Sequence, residues 1–384
     1  MEEVSDRFLK HFDEVDDPRL DNANRRHELS DMLVLTILAV ICGADSWTEV
    51  EAFGYAKQDY LKSFLKLPHG IPSHDTLGNL FSRLCAEELQ GGFLSWINAL
   101  VTVSGGEIVA IDGKTLRRSY ESGGGRGAIH MVSAWSVANQ VVLGQRKVGD
   151  KSNEITAIPQ LLKSLQISDA IVTIDAMGCQ KAIAQQIIDA QADYVLALKG
   201  NQGQLHDDVT RYLGQAIDQG FKGIAHDYHE TLDKGHGRVE VRRYWITGTI
   251  EWLDSQAEWA ELRTLGVVES ERHLKGEVSV ERRYFIASIP PDAALFARSV
   301  RGHWGIENQL HWSLDVSFRE DDCRVRQGQG AENFALIRHI ALSLLKNEKT
   351  AKVGIKIKRS KAGWDHGYLA KVLAAGQNPV TAAS

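Results

Sequence analysis

Two short apolar runs that each end in an aspartate place the tightest limit on the fold of this chain. The run "EIVAID" ends at Asp112, and the run "DAIVTID" ends at Asp175. Both have the length and the β-branched composition of buried strands. Because a helical pattern, "EITAIPQLLKSL", precedes the second run, a parallel crossover is predicted. Both aspartates are then expected at the carboxyl edge of a sheet, where open α/β sheets bind their ligands.

The residues after the first aspartate, Gly-Lys-Thr, resemble the end of a phosphate-binding loop. Such a loop requires a glycine five positions before its Gly-Lys pair, where backbone N–H groups begin to surround the phosphate. That position is Ile108, and the strand runs directly into Asp112 without room for a loop. A nucleotide site is therefore not predicted. Taken alone, Asp112 is either a candidate ligand or an ordinary turn residue at a strand end.

The pattern from about residue 105 to residue 203 predicts a mixed sheet flanked by helices. "AIHMVSAWSV" and "QVVLGQRKV" favour a hairpin, "CQKAIAQQIIDAQ" favours a helix, and "DYVLALKGNQ" favours a further strand. The resulting order, β-β-β-α-β-α-β, combines a hairpin with parallel crossovers. The predicted fold class is therefore α/β.

Helical patterns dominate residues 1–100, and other patterns follow the predicted sheet. "LSDMLVLTILAVICG" predicts a buried helix, and "IPSHDTLGNLFSRL" predicts a helix capped by Ser73. The capped helix is either the second helix of a helix-turn-helix or part of a small bundle. Residues 204–282 predict a β-rich insertion, residues 283–345 return to a helical pattern, and residues 346–384 are expected to form a basic C-terminal tail.

Composition is that of an ordinary globular protein and excludes several other classes. The apolar run "MLVLTILAVICG" has 12 residues, too few to span a membrane. The four cysteines form no closely spaced pair, so neither a zinc knuckle nor a disulfide framework is predicted, and a reducing cytoplasm fits. The net charge is −6, but residues 346–361 hold seven Lys or Arg and one Glu. This basic run is either a solvated surface or a phosphate contact.

A third acid stands out in "RGHWGIENQLHW". In a helix, Glu307 would share one face with His303, Leu310, His311 and Leu314. A carboxylate on an apolar face is rarely buried without a partner. The partner is either a nearby arginine, such as Arg301, or a group shared with the two strand-end aspartates.

Three converging carboxylates cannot all stay ionised without a compensating charge. Two carboxylates about 4 Å apart repel by about 4 kcal/mol at an effective dielectric near 20. Oxygen ligands without cysteine favour Mg²⁺ or Mn²⁺, and a pair of such ions promotes phosphodiester displacement. Basic residues that suit a phosphate backbone lie near the acids in the sequence: Lys114, Arg117, Arg118, Lys199, Arg324 and Arg326.

With these motifs the sequence resembles transposases of the DDE type, and more closely the ISAs1 group and the H-repeat-associated proteins within the IS4-like class. The resemblance covers nearly the whole chain. It is carried by "DDPR", "GIPSHDT", "AIDGKTLRRS", "KSNEITAIPQLL", "TIDAMGCQ", "YVLALKGNQ" and "HWGIENQLHWSLDVSFRED". It implies an RNase H-like mixed-sheet catalytic core, divided between residues 105–203 and 283–345, in which Asp112, Asp175 and Glu307 are the catalytic metal ligands. It also implies an N-terminal transposase-associated domain.

The resemblance implies metal-dependent cleavage and transfer of DNA strands at the ends of an insertion sequence. The implied partners are double-stranded DNA, as terminal inverted repeats and as target, and a second copy of the chain on DNA. No membrane partner is expected, and the expected location is the bacterial cytoplasm, with nucleoid association when the protein is bound to DNA. The alternative is a domesticated or decayed transposase that only binds DNA.

The sequence departs from the wider class around the third acid. That class places Tyr-x-x-Arg before its Glu and Lys six residues after it, whereas this chain has Val300, His303 and Leu314 at those positions. Asp315 is a rival third ligand. His303, Glu307 and His311 would also suit a zinc site, although the H-E-x-x-H signature is absent. We expect the neighbouring basic side chains to contact DNA instead: Arg301, His303 and His311.

Overall fold

A computed structural model describes residues 2–21, 25–120, 127–149, 152–235, 238–274 and 276–376. The chain divides into two compact units. We call one the helical unit, which comprises Met1–Thr102, Gly113–Ser152 and Glu307–Ser384. We call the other the sheet unit, which comprises Val103–Asp112 and Asn153–Ile306. No helix in the described ranges is long and apolar enough to cross a membrane.

The N-terminal part of the helical unit is helical, as predicted. α2 is buried along nearly its whole length because its residues are apolar on every side. The Ser73 side chain accepts a hydrogen bond from the backbone N–H of Thr76 and so caps α5. The aromatic ring of Trp47 stacks on Phe81 of α5, so this helix is packed as in a bundle. The helices are α1 (Glu2–Leu9), α2 (Leu29–Ile41), α3 (Trp47–Ala56), α4 (Gln58–Leu61), α5 (His74–Arg83) and α6 (Ala86–Leu100).

The predicted hairpin of the helical unit is confirmed. β2 (His130–Ser136) and β3 (Val141–Lys147) pair in antiparallel register, with a bulge after Ala134. Polar turn residues separate two apolar strands here, and this arrangement is the usual signal for a hairpin.

Within the described ranges, the sheet unit contains seven strands in the order β1-β4-β5-β9-β8-β7-β6. β1, β4 and β5 are parallel neighbours, and the remaining strands pair in antiparallel register. The predicted α/β class with a mixed sheet is therefore confirmed. The first elements of this unit, in chain order, are β1 (Ile108–Thr115), which runs on into the helical unit, α7 (Glu154–Ser164), β4 (Ile171–Ile174), α8 (Lys181–Asp189) and β5 (Asp193–Leu198).

The segment predicted as a β-rich insertion contains a helix as well as strands. α9 (Gln204–Asp218) precedes the four antiparallel strands, and the sequence reading missed it together with β6. β6 lacks the apolar alternation of a half-buried strand, because nearly all of its residues are exposed. β9 pairs with β5, so these strands extend the sheet of the core. The strands are β6 (Asp227–Gly235), β7 (Arg238–Thr247), β8 (Thr264–Leu274) and β9 (Glu277–Ala287).

Two glycines let α10 (Ala293–Gly305) approach the sheet closely. A Cβ atom on Gly266 would lie 2.5 Å from the ring of Phe296, which packs on β8. A Cβ atom on Gly302 would lie 3.0 Å from the side chain of Ile108. The C-terminal end of α10 is therefore held against β1, the strand that carries Asp112.

The segment after α10 is not the continuous α-helix that the sequence predicts. Residues Ile306–His311 form a π-helix, which is followed by α11 (Trp312–Phe318). A π-turn holds more residues than an α-turn, so the three- and four-residue spacing of an α-helical face does not continue through it. Short π-helical segments of this kind often occur at functional sites.

The C-terminal basic segment is folded rather than a free tail. After α12 (Gly330–Asn347), the chain forms α13 (Ile355–Trp364) and α14 (His366–Ala374). Lys358 and Arg359 are buried. The Lys358 ammonium donates to the carbonyl of Leu345, and the Arg359 guanidinium pairs with Asp45. These partners offset the desolvation of two cations. Residues 377–384 of the predicted tail lie outside the described residues.

Candidate catalytic carboxylates

Asp112 and Asp175 lie at the same edge of the sheet unit. β1 and β4 are parallel, and Ile111 pairs with Ile174. Each aspartate is the next residue after its paired isoleucine, and both are half-buried. Neighbouring strands lie about 4.8 Å apart, so two such carboxylates are within reach of a shared cation.

The loop that follows β4 fixes one oxygen of Asp175. Its Oδ1 accepts hydrogen bonds from the backbone N–H groups of Met177, at 3.0 Å, and of Gly178, at 3.3 Å. A Cβ atom on Gly178 would lie 2.2 Å from Ile174 Cγ2, so only glycine fits this turn. Within the described residues, Oδ2 accepts no hydrogen bond from protein. This oxygen is therefore the one that remains for a ligand.

Glu307 belongs to the helical unit. Because it lies in the π-helix, its side chain is more exposed to solvent than predicted. Leu310 and Leu314 are buried, whereas the Glu307 side chain is 52% exposed. The predicted face shared by Glu307 with Leu310 and Leu314 is wrong because the π-turn intervenes, whereas His311 does lie beside Glu307. The Nδ1 atom of His311 lies 3.5 Å from Glu307 Oε2. A half-exposed carboxylate beside an imidazole is accessible to a cation and to a DNA phosphate.

Asp315, the rival third ligand, is held by a buried ion-pair cluster. Lys114 Nζ lies 2.6 Å from Asp315 Oδ1, 3.0 Å from Asp321 Oδ1 and 3.6 Å from Glu320 Oε2. Burial alone would lower the pKa of Lys114, but these three carboxylates together raise it above its ordinary value. The lysine therefore remains charged and keeps Asp315 neutralised.

This cluster corrects the expected role of Lys114. Its side chain is 11% exposed, so it compensates internal carboxylates instead of presenting its charge to DNA. Glu320 is fully buried, and a guanidinium nitrogen of Arg338 lies 3.7 Å from its Oε1 atom. The sequence reading missed both residues. The acidic residues at the end of "SLDVSFRED" could have indicated this cluster, because they are too polar to belong to the apolar helix that follows.

The other predicted DNA contacts of the helical unit differ in exposure. Arg117 and Arg118 are exposed, and each forms an ion pair with an aspartate of the 320–322 turn. Arg324 is exposed, whereas Arg326 donates to the backbone carbonyl of Arg118. The expected contact between His311 and DNA does not fit the structure, because the His311 side chain is 7% exposed.

In the sheet unit, Lys199 is exposed immediately after β5. Arg301 is half exposed, and a guanidinium nitrogen lies 3.6 Å from Asp233. His303 Nδ1 lies 3.1 Å from the hydroxyl oxygen of Thr173. The zinc alternative needs His303 on an α-helical face with Glu307 and His311. The π-helix that begins at Ile306 interrupts that face.

Comparisons with known proteins relate most of the chain to one family. The family model described as "DDE_Tnp_1-associated" matches residues 9–97, and the model described as "Transposase DDE domain" matches residues 103–344. The "Putative transposase YncI" of Escherichia coli O157:H7 is 44% identical over 91% of this chain and 90% of its own length. The "H repeat-associated putative transposase YhhI" of Escherichia coli K12 is 42% identical over 91% of this chain and 93% of its own length. The chain therefore belongs to the family of transposases that carry a DDE domain.

Proposed function

We propose that this protein cleaves DNA at the ends of an insertion sequence and joins the freed 3′ ends to target DNA. In this proposal Asp112, Asp175 and Glu307 are the catalytic residues, and they hold Mg²⁺ or Mn²⁺. The observation that carries the proposal is the pairing of Ile111 with Ile174, which sets two carboxylates side by side at one sheet edge. The match to the transposase DDE domain, which includes all three acids, supports it.

The residues at the sheet edge fit a hard divalent cation. Asp112 and Asp175 supply oxygen atoms, the ligands that Mg²⁺ and Mn²⁺ prefer. Cys179 is close in the sequence, but burial, together with the charge of Asp175, raises the pKa of its thiol to about 12. The Cys179 side chain is also fully buried, so it is not presented to a cation that enters from solvent. The donor set therefore favours magnesium or manganese over zinc.

The packing of α10 supports Glu307 as the third ligand. Gly302 is in close contact with Ile108, four residues before Asp112 on β1. Glu307 follows Gly302 by only five residues, a rise of about 7.5 Å in an α-helix. Glu307 therefore follows closely in the sequence on the helix whose end packs against the strand that carries Asp112. Asp315 is a weaker candidate because Lys114 already neutralises it.

The role of the chain's own residues in the reaction is positioning and charge compensation. When bound, divalent cations lower the pKa of the attacking water and stabilise the leaving 3′ oxygen. The three carboxylates supply the negative charge that holds such cations at a fixed point. Water would attack the scissile phosphate and release a 3′-OH, which would attack a target phosphate in the same site. This route needs neither a covalent protein–DNA intermediate nor ATP.

We further propose that the substrate is the terminal inverted repeat and that two copies of the chain act together on DNA. Bringing two DNA ends together is the reason to expect a homodimer. An insertion sequence of the ISAs1 group and a bacterial cytoplasm with nucleoid association fit the same function. Exposed cations that suit the DNA backbone are Arg117, Arg118, Lys199, Arg301 and Arg324.

A second basic surface lies at the start of α13. Lys349, Lys352 and Lys356 are exposed, and in the described part of the chain none of them forms an ion pair. α13 is anchored to α11 by the guanidinium of Arg359, which lies 4.2 Å from the ring of Phe318. In a chain with a net charge of −6, such unpaired lysines on an anchored helix and in the segment before it favour contact with DNA phosphates.

Removing two of these charges is expected to weaken DNA binding and its salt dependence. For Lys352→Gln/Lys356→Gln, the slope of log K against log salt should fall by about 1.8, about 0.9 for each lost phosphate contact. Lys163→Gln/Lys222→Gln is the matched control, because both of its lysines are exposed in the sheet unit. Fluorescence anisotropy with labelled duplex DNA from 50 to 200 mM salt measures both slopes. Identical slopes for the two variants would show that this second basic surface does not contact DNA.

The proposed function is tested by incubating the purified protein with a duplex that contains its own insertion-sequence end. We expect nicking at the end of the repeat in Mg²⁺ or Mn²⁺ and none in EDTA. Binding without nicking in either metal would contradict the enzymatic function and favour the alternative of a protein that only binds DNA. Absence of both binding and nicking would contradict both functions.

A further inference from the structure

Two side chains from a neighbouring turn hold the loop that carries Asp175. We call residues 175–180, which connect β4 to α8, the Asp175 loop. Asn201 Nδ2 donates to the backbone carbonyl of Ala176, at 2.7 Å, and Gln202 Nε2 donates to the backbone carbonyl of Cys179, at 2.6 Å. Because both partners are carbonyl oxygens, each contacting atom must be the amide nitrogen. The loop is thus bound near both of its ends.

The order of the strands explains why these side chains reach the loop. β4 and β5 are parallel neighbours, and Ile174 pairs with Leu196. Their carboxyl ends therefore lie at one edge of the sheet. After β5 the chain forms a short 3₁₀ turn at Gly200–Gln202, which places both amides beside the Asp175 loop. Gly203 then turns the chain into α9 with φ 48° and ψ −117°, a conformation available mainly to glycine.

The hydrogen bonds restrain the residues that follow Asp175 from a second direction. The N–H groups of Met177 and Gly178 already bind Asp175 Oδ1 inside the loop. Asn201 and Gln202 bind carbonyls of the same loop from outside. If the two amides only stabilised the fold, their role would be to give these carbonyls hydrogen-bond donors. A role in positioning Asp175 follows from the geometry instead. The restrained backbone begins one residue after this half-buried carboxylate, whose Oδ2 remains for a ligand.

We propose that Asn201 and Gln202 are positioning residues that fix the Asp175 carboxylate for metal coordination. This inference rests on the proposed function, because it takes Asp175 as a metal ligand. Coordinating groups have to be held within about 0.5 Å of their productive geometry, and neighbouring hydrogen bonds supply that restraint. Without the two amides, the loop keeps its internal turn but loses its attachment to the 3₁₀ turn that follows β5. The Asp175 carboxylate would then sample positions outside coordination distance.

The variants Asn201→Ala and Gln202→Met test this proposal. Loss of groups that orient metal ligands typically weakens metal affinity 10- to 100-fold. We therefore expect the Mn²⁺ dissociation constant, measured by electron paramagnetic resonance without DNA, to rise about 10-fold or more for each variant. The Mg²⁺ concentration for half-maximal cleavage should rise similarly, while cleavage at saturating Mg²⁺ stays near that of the wild type.

A matched control removes an equivalent hydrogen bond elsewhere in the sheet unit. Gln186 Nε2 on α8 donates to the carbonyl of Pro159 at 2.6 Å, and neither residue belongs to the Asp175 loop. Gln186→Met should therefore leave Mn²⁺ affinity unchanged. Asn201→Asp keeps the shape of the side chain but removes the donor, and it serves if the alanine variant is poorly folded. Unchanged Mn²⁺ affinity together with a lower Tm for the Asn201 and Gln202 variants would overturn the proposal.

Asp175→Asn separates failure of this inference from failure of the proposed function. If Asp175→Asn binds Mn²⁺ as tightly as the wild type, Asp175 is not a ligand and the proposed function fails. If Asp175→Asn loses Mn²⁺ affinity whereas the Asn201 and Gln202 variants retain it, only the positioning role is overturned. Loss of affinity in all of these variants, with Gln186→Met unaffected, supports both.

Discussion

Asp112→Asn is expected to lower Mg²⁺-dependent nicking of the insertion-sequence end by about 10³-fold, the upper range for loss of one electrostatic contact in an active site. Asparagine has nearly the same shape as aspartate, so β1 and its pairing with β4 should persist. The amide oxygen carries no full negative charge and is a poor ligand for Mg²⁺. The loss should therefore appear in the cleavage rate, while affinity for the DNA end stays within a few-fold of the wild type.

Parallel variants show which carboxylates belong to the site. Asp175→Asn and Glu307→Gln should behave like Asp112→Asn. Asp315→Asn should keep substantial activity, because Lys114 neutralises that carboxylate. Asp254→Asn is the control for an exposed aspartate. Gel assays of strand cleavage and of DNA binding, run on the same preparations, give both readouts. Nicking by Asp112→Asn at the wild-type rate would eliminate the proposed mechanism.

Lys114→Met is expected to lower the free energy of unfolding by about 3–5 kcal/mol, the usual effect of removing one partner from a buried ion pair. Lys114 compensates Asp315, Glu320 and Asp321, and its side chain is 11% exposed. Methionine has a similar length but leaves these carboxylates without their shared cation. Urea unfolding followed by circular dichroism measures the change. Lys163→Met, at an exposed position, should change stability by less than about 0.5 kcal/mol.

A second substitution tests whether the loss of charge compensation causes the lower stability of Lys114→Met. Glu320 is buried, and in Lys114→Met its charge still has the Arg338 guanidinium, at 3.7 Å, as a counterion. Adding Glu320→Gln removes one of the uncompensated charges, so the double variant should be less destabilised than the sum of the two single variants. Strict additivity, or a Lys114→Met variant as stable as the wild type, would show that the cluster contributes little to folding.

The strands that carry the aspartates could be predicted because local and long-range signals agree. β1 and β4 are short apolar runs with turn residues after them. Because parallel strands need a crossover connection, few arrangements of these strands in a sheet are possible. The positions of Asp112 and Asp175 at the ends of these strands could therefore be predicted from periodicity and order along the chain. The resemblance to DDE transposases selected Glu307 and the metal, which the residues alone did not determine.

Other features depend on contacts that a linear pattern does not contain. The π-helix before His311 cannot be read from a 3.6-residue periodicity, so Glu307 was assigned to a buried face that it does not share. β6 is polar because both of its faces are exposed, and the sequence therefore did not mark it as a strand. Lys114 is predicted to contact DNA, but carboxylates distant in the sequence surround it. Arg359 lies in the run predicted as a solvated surface or a phosphate contact, but it pairs with Asp45.

The pairing of β5 with β9 limits how this transposase can be shortened. Val195–Leu198 of β5 hydrogen-bond to Tyr284–Ala287 of β9, so the last strand of the extension covers the flank of the parallel core. Excising residues 204–287 would leave backbone N–H and C=O groups of β5 without partners, and such a bare strand invites association between molecules. A shorter form of this protein would therefore have to keep β9, or pair another strand with β5, if the other elements of residues 204–287 were removed.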